Sequence, residues 1–198
     1  MRIIASAIAL FLAVQVHAET LVDFAFKNAE LKSMIEQYSK LTKTKFVIDP
    51  AVRGKADIIT QNKVSPEEAF ALLSSALAVN GYALSEQEGT YVVVTARNVQ
   101  RSLIPVTDQL PALKPERMVA YIYTTKYMSA SALNMSMRVL ASKDGEIVAV
   151  GENKLMMTDW VSNIHRINQT LAMVDRADTK FDAKITNPGK KSKPTVTQ

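Results

Sequence analysis

Asp159, Ser162 and His165 are the side-chain types of a hydrolytic relay, set close together near the end of a 198-residue chain. A serine becomes a nucleophile when a histidine takes its proton and a carboxylate orients that histidine, and the oxyanion that forms needs its own donors. Such groups normally converge from separate elements. Here all three follow one another into one helical pattern, and at about 100° per residue they fall on its polar side, away from Ile164, Ile167 and Leu171. The sequence therefore assigns Asp159 to an N-cap and the other two to an exposed polar face, with no catalytic role. Glu67 and Glu68 read the same way, since acidic residues in a first helical turn serve capping and the macrodipole. Met128, Met135, Met137, Met156 and Met157 read as core filler.

Metal and cofactor chemistry have few ligands to work with. The chain has no Cys and two His, one of which, His17, lies in a leader-like start. No Gly-rich strand-to-helix loop offers a phosphate cradle, and none of the six glycines forms the G-x-x-G pair of an RNA-binding KH loop. The expectation is no enzyme, no cofactor, no metal, no nucleic acid and no small-molecule substrate.

The elements that position these residues begin after residue 18. Arg2, the apolar run Ile3 to Val16 and the small residues closing at Ala18 have the form of a secretory signal peptide, with cleavage expected between Ala18 and Glu19. The run is shorter than the ~20 residues needed to span a bilayer, so removal is favoured over a retained anchor. Export to the periplasm follows, and without Cys the fold must be held by packing alone. Of the net charge of +5, one comes from Arg2 and four from the end of the chain, where residues 179–198 carry Lys180, Lys184, Lys190, Lys191 and Lys193 against Asp182. That segment lacks apolar period and reads as a flexible basic tail.

Residues 19–97 alternate strand and helix patterns as βαββαββ. "LVDFAF" opens as a strand. Asn28 is placed to cap a helix with Leu31, Met34, Ile35, Tyr38 and Leu41 on one face; "KFVIDP" and "KADIIT" read as strands around Gly54. Ser65-Pro66-Glu67-Glu68 is an N-cap, a first-turn Pro and a capping-box Glu. The helix that follows carries Phe70, Leu73 and Leu77, stops at Asn80-Gly81 and leads into a hairpin, "YALSEQEGTYVVVTA". Residues 98–117 lose the pattern and hold Pro105, Pro111 and Pro115, which marks a linker. Residues 118–178 read as βαββα, with Ser129 capping the first helix. The fold class is α+β, as two small α/β sandwiches.

The segment from Asp23 to Ala96 resembles the first periplasmic N-domain of secretins, notably the type II secretion outer-membrane protein. Its Asp23-Phe24 start, the strand ending at Asp49-Pro50, the turn Val52-Arg53-Gly54-Lys55 and the Ser65 helix start all resemble that family. Residues 118–175 are similar to the next, KH-like N-domain, through "YIYTTKYMSASAL" and "NKLMMTDWVSNIHRINQTLAMVD". The resemblance implies a periplasmic docking or ring-forming component, with a secretin-type outer-membrane pore protein, an inner-membrane secretion component and copies of itself as partners. The secretin barrel has no counterpart in the sequence, so the chain is not expected to be the pore. Two other readings remain open, a signalling domain of an outer-membrane receptor system and a truncated secretin.

Overall fold

The computed structural model describes residues 21–99 and 104–177. The expected cleavage point at Ala18 and Glu19 and the basic segment 179–198 lie outside the described residues. The first unit comprises β1 (Phe26–Glu30), α1 (Leu31–Thr42), β2 (Lys45–Ile48), β3 (Lys55–Ile58), α2 (Pro66–Val79), β4 (Tyr82–Gln87) and β5 (Thr90–Thr95). Next come a short α3 (Ala96–Val99) and β6 (Val106–Thr107). The second unit then runs β7 (Met118–Thr124), α4 (Ala130–Met137), β8 (Glu146–Val150), β9 (Lys154–Trp160) and α5 (Val161–Val174). The architecture is α+β, with the predicted element order in both units.

In the first unit β1 pairs antiparallel with β3, while β2, β5 and β4 form a separate sheet in that order, β2 parallel and β4 antiparallel to β5. The β4–β5 hairpin turns at Glu88 and Gly89, both at positive φ, which is the twist a two-residue hairpin loop needs. The helices cover these sheets because their apolar residues recur at helical spacing: Leu31, Met34, Ile35 and Tyr38 from α1 and Ala69, Leu73 and Leu77 from α2 are all buried. Rings fill the core. Tyr38 meets Phe24, Phe46 and Phe70 edge-on or tilted, with centroids 5.6–6.0 Å apart.

The α2 start follows its sequence code. Ser65 Oγ accepts the Glu68 N–H at 3.2 Å, and Pro66 occupies the first helical position where no N–H is needed. Ser65→Ala is expected to lower stability by about 1 kcal/mol in urea unfolding. An unchanged midpoint would show that the cap carries no weight.

Several expectations need correction. Asn28 does not cap α1. It sits within β1 at φ 49°, where the register with β3 shifts, and its N–H donates to Asp57 Oδ1; Glu30 stands at the N-cap with no side-chain bond. The opening strand lies later than "LVDFAF", with Val22 making only an isolated bridge to Val64. Leu41 and Met135 are exposed rather than core. Asp159 is not a helix cap but part of β9, fully buried on the side facing the helices. The Pro-bearing stretch is also less empty than its pattern, because β6 adds to the edge of the second sheet, parallel to β7.

The second sheet has the order β6-β7-β9-β8. α4 and α5 cover one face, where Val119, Tyr121, Ile147, Leu155 and Met157 meet Leu133, Ile164, Ile167 and Leu171. Strand residues alternate between faces. Ala120, Ile122, Val148, Val150 and Met156 therefore point away from these helices.

Candidate docking surfaces

The turn between β2 and β3 is built by its own residues. Asp49 Oδ1 accepts the Ala51 N–H at 2.7 Å, the Val52 N–H returns to the Asp49 carbonyl at 2.9 Å, and Pro50 fits the loop because β2 has ended. Val52 is buried under α1, and the Gly54 carbonyl accepts the Leu31 N–H at 3.1 Å. Gly54 has φ 121°, and a Cβ there would meet Asn80 Oδ1. Gly54→Ala should therefore cost about 1–3 kcal/mol in stability, read as a fall in urea midpoint. A neutral result would mean that the turn relaxes freely.

The family-like residues thus divide by role. Phe24, Asp49, Pro50, Val52 and Gly54 hold the turn and core, whereas Asp23, Arg53 and Lys55 are exposed and available to a partner. Arg53 and Lys55, with Lys32 and Glu30, line a shallow concavity of about 360 Å³ at the start of α1.

The three residues with catalytic types do not meet. Asp159 accepts the N–H groups of Ser142 and Trp160 and the Asn163 side-chain amide, each at 2.7 Å. Ser162 Oγ donates to Glu116 at 2.8 Å, and His165 Nε2 lies 2.7 Å from the Pro111 carbonyl. Each is committed to a different structural partner. Among the described residues no three His, Cys, Asp or Glu side chains gather as a metal site, and no helix is long and apolar enough to cross a membrane.

What the second unit presents instead is apolar surface on two sides. On the helix-free sheet face Val106 is 61% exposed, Val148 36% and Val150 47%, beside half-buried Ile122 and Met156. On the helical side Met135 is 52% and Val139 76% exposed. The alternation of "EIVAV" and "MVAYIY" locates these strands but does not say which face stays open. That depends on where the helices land.

Comparison with known proteins shows what the first unit is similar to. The GspD-like N0 domain model matches residues 24–93. The first unit is thus similar to a GspD-like N0 domain. The secretins XcpQ of Pseudomonas aeruginosa and ExeD of Aeromonas hydrophila are 24% and 27% identical to the chain over 156 and 157 residues. Those alignments take in 76% and 77% of this chain, so they run well beyond the N0 domain, but they span 22% and 23% of the two secretins. The chain thus corresponds to under a quarter of the length of these relatives. The Klebsiella pneumoniae type II secretion system outer membrane complex of PulD, PulS and the PulC HR domain contains a chain with the same fold. Its TM-score is 0.67 at 24% identity, covering 77% of this chain and 26% of that one. The second unit, C-terminal to the N0 domain, is the KH-like sandwich expected from the sequence.

Proposed function

We propose that the chain is a periplasmic docking and ring-forming component of a type II-like secretion system, acting through protein contacts and without catalysis. The domain division proposed with it is an N0 domain to residue 97, a connection over 98–117 and a KH-like domain over 118–178. The observation that carries the ring reading is the pair of unlike apolar patches on opposite sides of the KH-like unit. A ring requires a head-to-tail contact between two different surfaces of each copy, and Val148 and Val150 on one side with Met135 and Val139 on the other supply two such surfaces. The N0 domain offers a different contact type, open strand edges such as β2, where Val47 is exposed. The Klebsiella complex contains the PulC HR domain beside PulD and PulS, and a corresponding inner-membrane secretion component is the partner proposed for the N0 domain here.

Ring contacts between single copies are weak in dilute solution and gain strength from neighbours held on a common ring. The test therefore belongs in the cell envelope. Cysteine crosslinking between Val148→Cys and Val139→Cys is expected to join copies of the chain, or the chain to a secretin-type neighbour, and Val150→Asp should abolish the product. Because Val150 is exposed, its substitution should leave the melting temperature unchanged. Crosslinking that survives Val150→Asp, or that never forms, would overturn the ring reading.

A further inference from the structure

The open face of the second sheet is covered at one end, and not by any helix of its own unit. Met118 pairs with Trp160 and Ala120 with Thr158 across β7 and β9, on the face turned away from α4 and α5. Met118, Ala120 and Thr158 are nonetheless buried. What covers Met118 is the N0 domain: Ala83 of β4 and Ala96 and Val99 of α3, all buried, form a third apolar cluster with it, flanked by Val94, Ile104 and Trp160. This cluster is distinct from both unit cores.

Each side of the contact is tied back to its own unit. The Ala96 N–H donates to the Gly81 carbonyl at 2.9 Å, so α3 is folded against the N0 domain rather than swinging free. Residues 104–117 belong to the other side. The Ala120 N–H reaches the Pro105 carbonyl, the Val161 N–H reaches the Arg117 carbonyl, and Glu116 and Pro111 are held by Ser162 and His165. Across the seam the Arg97 guanidinium donates to the Lys143 carbonyl at 3.3 Å. The loop carrying Lys143 is in turn pinned by Asp159 through the Ser142 N–H.

We propose that the N0 domain is fixed on the end of the second sheet's outer face, so that the two units keep one orientation in solution without any partner. Buried apolar area on both sides favours contact over separation. The seam sets the angle between the N0 strand edges and the apolar face around Val148. It stands whether or not the docking reading holds.

The absence of cysteine makes the test clean. Spin labels on Glu36→Cys in α1 and Gln169→Cys in α5, both exposed positions, report the distance between units by pulsed electron resonance on the dilute, exported chain. The expected result is one narrow distance distribution. Val99→Asp, which places a charge in the seam but touches neither unit's own core, should broaden that distribution at least twofold with helical circular dichroism unchanged; Trp160→Ala should act in the same direction. A broad distribution in the unsubstituted chain would overturn the proposal by itself. So would a distribution that stays narrow in both variants.

Discussion

Asp159→Ala is expected to be the most destabilising single change in the second unit, lowering the unfolding free energy by about 4 kcal/mol. The carboxylate is fully buried and satisfies two backbone N–H groups and the Asn163 amide at once. Truncation leaves three donors in a water-poor site, and each unsatisfied buried donor costs about 1–3 kcal/mol. Asn should be milder, because it restores the shape and one acceptor oxygen. Gly145 packs against the same carboxylate with no room for a Cβ, so Gly145→Ala should act in the same direction. Equilibrium urea unfolding followed by the single tryptophan, Trp160, reads all three variants at the affected site. A loss of less than about 1 kcal/mol for Asp159→Ala would show that the three donors find other partners.

Asp175 should give the second largest effect, and one that depends on pH. Its carboxylate is buried at the end of α5 and accepts the N–H groups of Lys126, Tyr127 and Met128 at 2.7–3.0 Å and the Tyr123 hydroxyl at 3.1 Å. Burial alone would raise its pKa, but the three backbone donors and the hydroxyl together outweigh it and hold the carboxyl below its usual value. A depressed folded pKa stabilises the protein fully above the unfolded value of about 3.9, and that contribution is lost as pH falls through the folded pKa. Asp175→Ala should cost about 3 kcal/mol at neutral pH and flatten the acid limb of the stability profile. The partner titrates at the other extreme. Burial first, then the hydrogen bond and charge of Asp175, push the Tyr123 hydroxyl up to about 12, so it remains a donor throughout the physiological range. An acid limb equally steep in Asp175→Ala would rule out this carboxylate as its source.

The sequence disclosed what local chemistry decides. Ser65, Pro66 and Glu68 form a self-contained helix start, and the Asn80-Gly81 stop and Glu88-Gly89 turn likewise need no distant partner. Asn28 and Asp159 look like caps by the same code but serve tertiary bonds. The Asn28 backbone is claimed by the irregularity in β1, where its N–H donates to the Asp57 carboxylate, and Asp159 by a ladder opposite Val119 that carries β9 one residue past it. Preference for a capping residue is worth about 1 kcal/mol, too little to override such pairing. Two residues, Val106 and Thr107, are too few to show a period, so β6 was hidden among prolines. The free sheet face and the seam were out of reach for a different reason, since Met118, Val148 and Trp160 acquire their surroundings only when distant segments pack. Family resemblance supplied the docking expectation that composition and spacing left open.

If the chain works by docking in a secretion assembly, in-cell photo-crosslinking should capture its neighbours. A photoreactive residue is placed at Val47 on the N0 edge strand or at Val148 on the KH-like sheet face, and the products are identified by mass spectrometry. The expected products are an inner-membrane secretion component from Val47 and another copy or a secretin-type chain from Val148. Products confined to an outer-membrane receptor and its regulator at Val47, with none at Val148, would overturn the docking reading and assign the chain to receptor signalling.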